Sequence, residues 1–259
     1  SFKVKTPETE FLVDPFVCLD KAEHHNSVRD FLDVPVIFIT HGHFDHLCHV
    51  PLILKRQPTR VFCTERPAAS LLNALISSGT GKDEAKELCR DVVTIAPGSE
   101  FDFDDVHVRV FQGKHIRFDL GLSLKTLLPS NIARAPKNVP HILKLHPRYP
   151  EGGQTILYDM ESAGKRIQFL GSLDLADDVE YPRNADLLVM PYQGRSDMVP
   201  SARKVIRRLK PKRILLSHFD NTYPPLTHSI DTGSLEKMMR EEFPEIGFTI
   251  PQFRASIQI

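Results

Sequence analysis

Apolar positions along this chain follow two rhythms. Val36-Ile37-Phe38-Ile39-Thr40 is apolar and β-branched almost without interruption, the pattern of a strand buried on both faces. Phe11-Leu12-Val13, which stops at Asp14-Pro15, is a shorter run of the same kind. Further strands are predicted over 60–64, 92–95, 106–111, 154–160, 166–170, 186–190, 213–217 and 248–250. Glu161-Ser162-Ala163-Gly164-Lys165 lies between two of them and predicts a hairpin. The second rhythm is helical. It covers 50–56, 67–77 with Pro67 in the first turn, 82–90, 201–209 and 234–243. Strand–helix alternation in the last quarter predicts an α/β (α+β) protein with sheets covered by helices. The stretch 130–150, rich in proline, reads as a loop-rich insertion. No internal repeat is present.

Composition narrows the class. With 41% hydrophobic and 25% charged residues, the chain has the make-up of a globular domain. Lys plus Arg equals Asp plus Glu at 33 each, which argues against a dedicated polyanion binder. The longest apolar runs fall far short of the ~20 residues a membrane span needs. No signal peptide is visible, so a cytoplasmic protein without membrane attachment is expected. The four cysteines, Cys18, Cys48, Cys63 and Cys89, form no C-x-x-C pair and read as reduced, mostly buried thiols.

The densest chemistry lies in Thr40-His41-Gly42-His43-Phe44-Asp45-His46, which starts where a buried strand ends. Strand ends in sheet proteins are where functional loops sit. Imidazole nitrogen and carboxylate oxygen suit zinc and similar divalent metals. If the segment is extended, His41 and His43 point the same way, and Asp45 and His46 lie past a turn, where they can face a second ion. Four such residues cannot complete two metal sites, so others must come from elsewhere. His115, Asp174 and His218 each follow an apolar strand and are the candidates.

Taken in order, these residues resemble the metallo-β-lactamase superfamily. Asp14 follows the first strand, His41, His43, Asp45 and His46 form the main motif, and His115, Asp174 and His218 supply the remainder. The resemblance implies a four-layer αββα sandwich in a single domain over 1–259, with metals at one edge between the sheets. It also implies two divalent ions, zinc with manganese or iron as alternatives. His41, His43 and His115 would hold one, Asp45, His46 and His218 the other, with Asp174 bridging and Asp14 supporting the loop. The chain has Gly171-Ser172-Leu173-Asp174 where the family commonly has Gly-Asp, so Asp174 must be reached by a different turn or Ser172 takes its place. The family begins with a strand pair, for which only Phe2-Lys3-Val4-Lys5 is available. His218-Phe219-Asp220-Asn221, Pro224-Pro225-Leu226 and the Gly164-Lys165-Arg166 hairpin resemble the branch related to ascorbate-phosphate lactonases.

The activity so implied is metal-dependent hydrolysis of a small-molecule ester, lactone or phosphodiester. A water bridging the two ions would become the nucleophile, and Asp45 would be the catalytic carboxylate that orients it. Tyr192, Arg195 and His228 are candidate substrate contacts, Arg195 because a guanidinium binds phosphate or carboxylate bidentately. Two other classes remain open. The basic stretch from Arg203 to Arg213, with seven Lys and Arg, would serve a nuclease acting on RNA, although its spacing also fits an amphipathic surface helix. A metal-binding member without hydrolytic turnover is the third.

Overall fold

Strand alternation sorts the side chains into three apolar layers. A computed structural model of the protein describes residues 1–117 and 129–259. One sheet holds β1 (Phe2–Lys5), β2 (Glu10–Val13), β3 (Val36–Phe38), β4 (Arg60–Cys63) and β5 (Val92–Thr94), in that order. The other runs β12 (Gly247–Thr249), β11 (Arg213–Ser217), β10 (Leu187–Pro191), β9 (Lys165–Leu170), β8 (Ile156–Ser162), β7 (Val106–Gln112), β6 (Glu100–Phe103). Val36, Phe38, Phe62, Val108, Tyr158, Phe169, Val189 and Leu215 fill the space between the sheets. Their neighbours on the same strands point outward. Ile37, Val61 and Cys63 pack with Ile53 of α2 (Val50–Leu54) and with Leu71 and Leu75 of α3 (Glu65–Ser77). Leu188, Met190, Ile214 and Leu216 pack with α7 (Val199–Leu209) and α8 (Gly233–Glu242). Both faces of the central strands are therefore apolar, which is why they read as unbroken runs. The result is the αββα sandwich expected from the sequence.

Two hydrogen-bonding features register the sheets against each other. Tyr158 reaches from β8 across the interior and donates its hydroxyl to the carbonyls of Ile39 (2.9 Å) and Phe62 (3.2 Å). The Ile156 N–H donates to the Thr40 carbonyl at 3.0 Å. The predicted hairpin closes β8 on β9 through Ala163 and Gly164, both at positive φ (48° and 70°), as a two-residue turn between right-twisted strands requires.

Strand direction decides where the site lies. β2 is parallel to β3, and β9, β10 and β11 are mutually parallel. β7 runs antiparallel to β8, as β8 does to β9, so β7 and β9 point the same way. The carboxyl ends of β2, β3, β7, β9 and β11 therefore meet at one edge, which the Thr40–Ile156 contact joins. Open sheets place functional loops at such ends.

Three segments depart from the expected pattern. The stretch read as loop-rich carries helices α5 (Pro129–Ile132) and α6 (Asn138–Leu145) and a 3-10 turn at His146–Arg148. β1 forms, and pairs antiparallel with β2. β6, too short and polar to stand out, pairs with β7. Helices α1 (Phe44–Leu47) and α4 (Lys82–Leu88) and a 3-10 turn at Val28–Phe31 complete the described set. Among the described residues, no helix is long and apolar enough to cross a membrane.

Candidate metal centre

Asp14 organises the edge. It sits just past β2 with φ of 49°, a left-handed conformation that Asp tolerates better than most residues. From there one carboxylate oxygen accepts the Thr40 N–H (2.8 Å). The other accepts the Thr40 hydroxyl (2.7 Å) and lies 2.8 Å from His46 Nδ1. One half-buried carboxylate thus links the end of β3 to His46.

His41 leaves β3 buried. Gly42 follows because nothing larger fits: a Cβ there would lie 2.4 Å from the Pro150 carbonyl oxygen. Gly42→Ala must push that strap away. A destabilisation of about 1–3 kcal/mol, the usual cost of overpacking, is expected in thermal or denaturant melts. His43 precedes α1, a single helical turn in which the His46 N–H donates to the His43 carbonyl (3.0 Å). That turn carries Asp45 and His46 away from His41 and His43, so the motif splits in two.

The split is completed by side chains from the other sheet. His41, His43 and His115 form one group, and Asp45, His46 and His218 the other. Within each, one ligand atom per residue lies within 4.8 Å of the others. The groups adjoin, with the His41 and His46 rings 3.9 Å apart. His115 follows β7 and packs edge-on against His43 (4.6 Å). His218 follows β11 at φ 55° and stacks on His46 (5.0 Å).

Protonation suits a cation. Burial pushes the His41 imidazole well below its usual pKa, and the neighbouring His46, His43 and His115 push it further. Burial likewise brings His43 and His218 down to about 4 and lowers His115. Neutral imidazoles crowded together offer lone pairs to a metal. For Asp45 burial acts upward, but His46, His218 and His43 overcome it and hold the carboxyl well below the carboxylate range. Burial would lower His46, yet the Asp14 and Asp45 carboxylates raise it to about 10. A divalent ion would displace that proton. Five imidazoles and one carboxylate in two three-sided clusters are a donor set that zinc and its neighbours accept, so the residues present fit the metals that the sequence implied.

Asp174 is not brought to either group. Its carboxylate pairs with Lys204 (3.1 Å) and Lys114 (3.6 Å) and accepts the Leu175 N–H (2.8 Å). The extra two residues after Gly171 carry it past the edge, and Ser172 takes the inner place. The buried Ser172 hydroxyl accepts the Ile116 N–H at 3.0 Å, directly after His115. Asp174→Asn is therefore expected to leave metal content unchanged and to cost no more than about 1 kcal/mol, as partly exposed pairs do. Loss of an equivalent of metal on elemental analysis would instead return Asp174 to the ligand set.

The expected substrate contacts are scattered. Tyr192 is buried in the apolar cluster under α7, its phenol pushed up to about 12 by burial. Arg195 is exposed on the loop after β10, and His228 is half-buried beyond the 224–225 prolines. Three residues that sequence reasoning passed over lie closer. Thr40 is gripped by Asp14. Glu151 accepts the Gly153 N–H (2.6 Å) and the Thr155 N–H and hydroxyl (3.0 and 2.6 Å), and its charge acts on His43 and His115. Tyr223 packs edge-on against Phe44 (5.3 Å), the residue before Asp45. The only sequence signal for Glu151 was its place before Gly152-Gly153 at the start of β8. Tyr223 sat within the segment that suggested the branch.

A family model described as a beta-lactamase superfamily domain matches residues 9–219. The chain belongs to that superfamily. The match starts just before Asp14 and ends just after His218, so it spans all six clustered residues. No curated protein matches the chain by sequence. Solved structures do match in fold. A novel metallo hydrolase from Ignicoccus hospitalis superposes with a TM-score of 0.62 at 13% identity, covering 96% of this chain and 90% of that one. Zn(2+)-bound PqqB from Methylobacterium extorquens gives 0.52 at 15%, covering 95% and 83%. CmlA, a diiron β-hydroxylase from Streptomyces venezuelae, gives 0.58 at 13%, with 96% of this chain matched to half of that one. At these identities the likeness is one of fold. The superfamily fold thus accommodates zinc and diiron proteins alike.

Proposed function

We propose that this chain is a metal-dependent hydrolase acting on a small-molecule ester, lactone or phosphodiester. The observation that carries the reading is the pair of adjoining three-residue groups, His41/His43/His115 and Asp45/His46/His218, at the sheet edge. Two divalent ions held there would supply Lewis acidity and an activated water. The chain's own contribution is to hold the ligands in place. Asp14 orients His46, and Ser172 fixes the backbone beside His115. A donor set dominated by imidazole favours zinc over a redox di-iron pair. The likeness to ascorbate-phosphate lactonases makes lactones the first substrates to try.

The basic stretch on α7 supports this reading over a nuclease. Arg203 and Arg207 both pair with Glu242 (2.7 and 2.9 Å), and Lys204 pairs with Asp174 and Asp177 (3.1 and 2.8 Å). Arg208 donates to the carbonyls of Ala176 and Val179, and Lys212 pairs with Asp186. Cations committed to partners within the protein are poorly placed to neutralise phosphates.

The test is elemental analysis of protein purified without added metal, followed by assays on lactones, carboxylic esters, phosphodiesters and RNA. Bound divalent metal and turnover of a small substrate, lost on chelation, are expected. Activity confined to RNA would replace this reading with a nuclease. Tight metal binding without hydrolysis of any of these substrates would replace it with a non-hydrolytic member.

A further inference from the structure

Thr40 stands where β3 gives way to the histidine loop, and its buried hydroxyl lies between the two ligand groups. Its backbone is tied on both sides. The N–H donates to one Asp14 carboxylate oxygen (2.8 Å), and the carbonyl accepts the Ile156 N–H (3.0 Å). Gly171 approaches so closely that a Cβ there would lie 3.0 Å from Thr40 Cβ. A side chain held this firmly presents its hydroxyl in one place. There the O–H donates to the second Asp14 oxygen (2.7 Å), since a carboxylate only accepts. A hydroxyl carries one hydrogen, so toward its other neighbour, His41 Nδ1 at 3.1 Å, the oxygen is the acceptor. The same Asp14 oxygen lies 2.8 Å from His46 Nδ1. One unbroken chain of hydrogen bonds thus runs from His41 through Thr40 and Asp14 to His46, a ligand candidate of one group at each end.

An imidazole binds a metal through one nitrogen, and the hydrogen bond made by the other decides which one is free. With Nδ1 donating to Thr40, His41 keeps the lone pair on Nε2. That atom faces His43 Nδ1 at 3.2 Å, inside the His41/His43/His115 group. His115 is set in the same way, its Nδ1 lying 2.8 Å from the Ile116 carbonyl oxygen. We propose that Thr40 is a positioning residue of the metal centre, its hydroxyl fixing His41 with Nε2 toward the metal. Asp14 supports the His46 side directly, and the His41 side depends on Thr40. The inference rests on the reading of these clusters as metal sites, with His41 a ligand, and not on turnover of any substrate.

Zinc affinity is measured by competition with a chromophoric chelator on protein started metal-free, with thermal melts on every sample. Thr40→Val keeps the shape and replaces the hydroxyl by a methyl. Thr40→Ser keeps the hydroxyl and loses the methyl. Each is made in the native chain and in Asp45→Ala, where the His41/His43/His115 group still has all three donors. Thr40→Val is expected to weaken the zinc of that group about 10–100-fold in both backgrounds, the usual effect of removing a ligand's hydrogen-bond partner. Thr40→Ser is expected to bind zinc as the native residue does, although lost packing lowers its melting temperature. Thr40→Ala, which lacks both groups and cannot clash, repeats the comparison against Thr40→Ser if the valine variant does not fold. Affinities that fall alike in the valine and serine variants, in step with their melting temperatures, would reduce Thr40 to packing and overturn the proposal. Native affinity in Thr40→Val alongside a lost zinc in His41→Ala would overturn the role of Thr40 alone. Native affinity in His41→Ala would overturn His41 as a ligand, and the positioning role with it.

Discussion

Asp45→Ala is expected to lower kcat/KM by about 10³-fold or more while one of two zinc equivalents is retained. Metal ions contribute several kcal/mol to charge stabilisation in hydrolysis, and each ~1.4 kcal/mol is tenfold in rate. Asp45 is the sole carboxylate in either group, so its removal leaves the ion beside His46 and His218 with two neutral donors. The His41/His43/His115 group keeps all three of its own and should still bind. Asp45→Asn separates charge from shape: it preserves the side chain's volume, yet offers the ion only a neutral oxygen. Both variants are checked by elemental analysis and by steady-state rates on whichever substrate the panel identifies. Full activity in Asp45→Ala would sink the proposed chemistry, whatever the metal content.

Much of this was legible in the sequence because two signals repeat. Strands with both faces buried, such as β3, β10 and β11, are read off as unbroken apolar runs, and their helices as amphipathic stripes. Each ligand then follows such a strand, so strand position and ligand position reinforce each other. Where only one signal was present, the reading was weaker. β6 has the sequence Glu100-Phe101-Asp102-Phe103, four residues at a sheet edge whose pairing comes from β7, not from local propensity. Helix α6 contains Pro140 and was masked by the prolines around it. Of its buried residues, Asn138 is set by the carbonyls of Asp20 and Pro224 and Ile142 by the apolar cluster under the first sheet, which no local window contains.

Asp174 shows the opposite failure. Order along the chain placed a carboxylate after β9, and the resemblance gave it a metal. Three-dimensional placement depends on the two intervening residues, which turn the chain so that Ser172 faces inward and Asp174 faces Lys114 and Lys204. A single residue type at the end of a strand is not enough to fix which way it points. Tyr192 failed for a related reason: it lies at the active edge in sequence terms, but its ring turns under α7 into the apolar layer. Tyr223 and Glu151 reach the site from loops, and no periodic pattern marks a loop residue.

Asp14→Ala is expected to destabilise the protein strongly for a residue outside the ligands. The carboxylate is half-buried and serves three partners, the Thr40 N–H, the Thr40 hydroxyl and His46. Removing it strands the Thr40 N–H, at about 1–3 kcal/mol when left unsatisfied, while the Thr40 hydroxyl keeps His41 Nδ1 at 3.1 Å. It also leaves the buried His46 without its half-buried carboxylate partner, where a fully buried pair would cost about 3–5 kcal/mol. These costs overlap because they share one side chain, so a loss of about 3–5 kcal/mol is the expected sum in the metal-free protein. Metal affinity should fall as well, by about 10–100-fold at the ion beside His46, since that ring loses the partner that orients it. Asp14→Asn separates the two effects. Its amide oxygen can still accept from Thr40, so much of the stability returns, but it cannot hold His46 as a carboxylate does, so the affinity does not. Denaturant melts and zinc titrations on the same samples read both quantities. If Asp14→Asn recovered affinity together with stability, Asp14 would act on the metal centre only through the backbone of the 40–46 segment and not through His46.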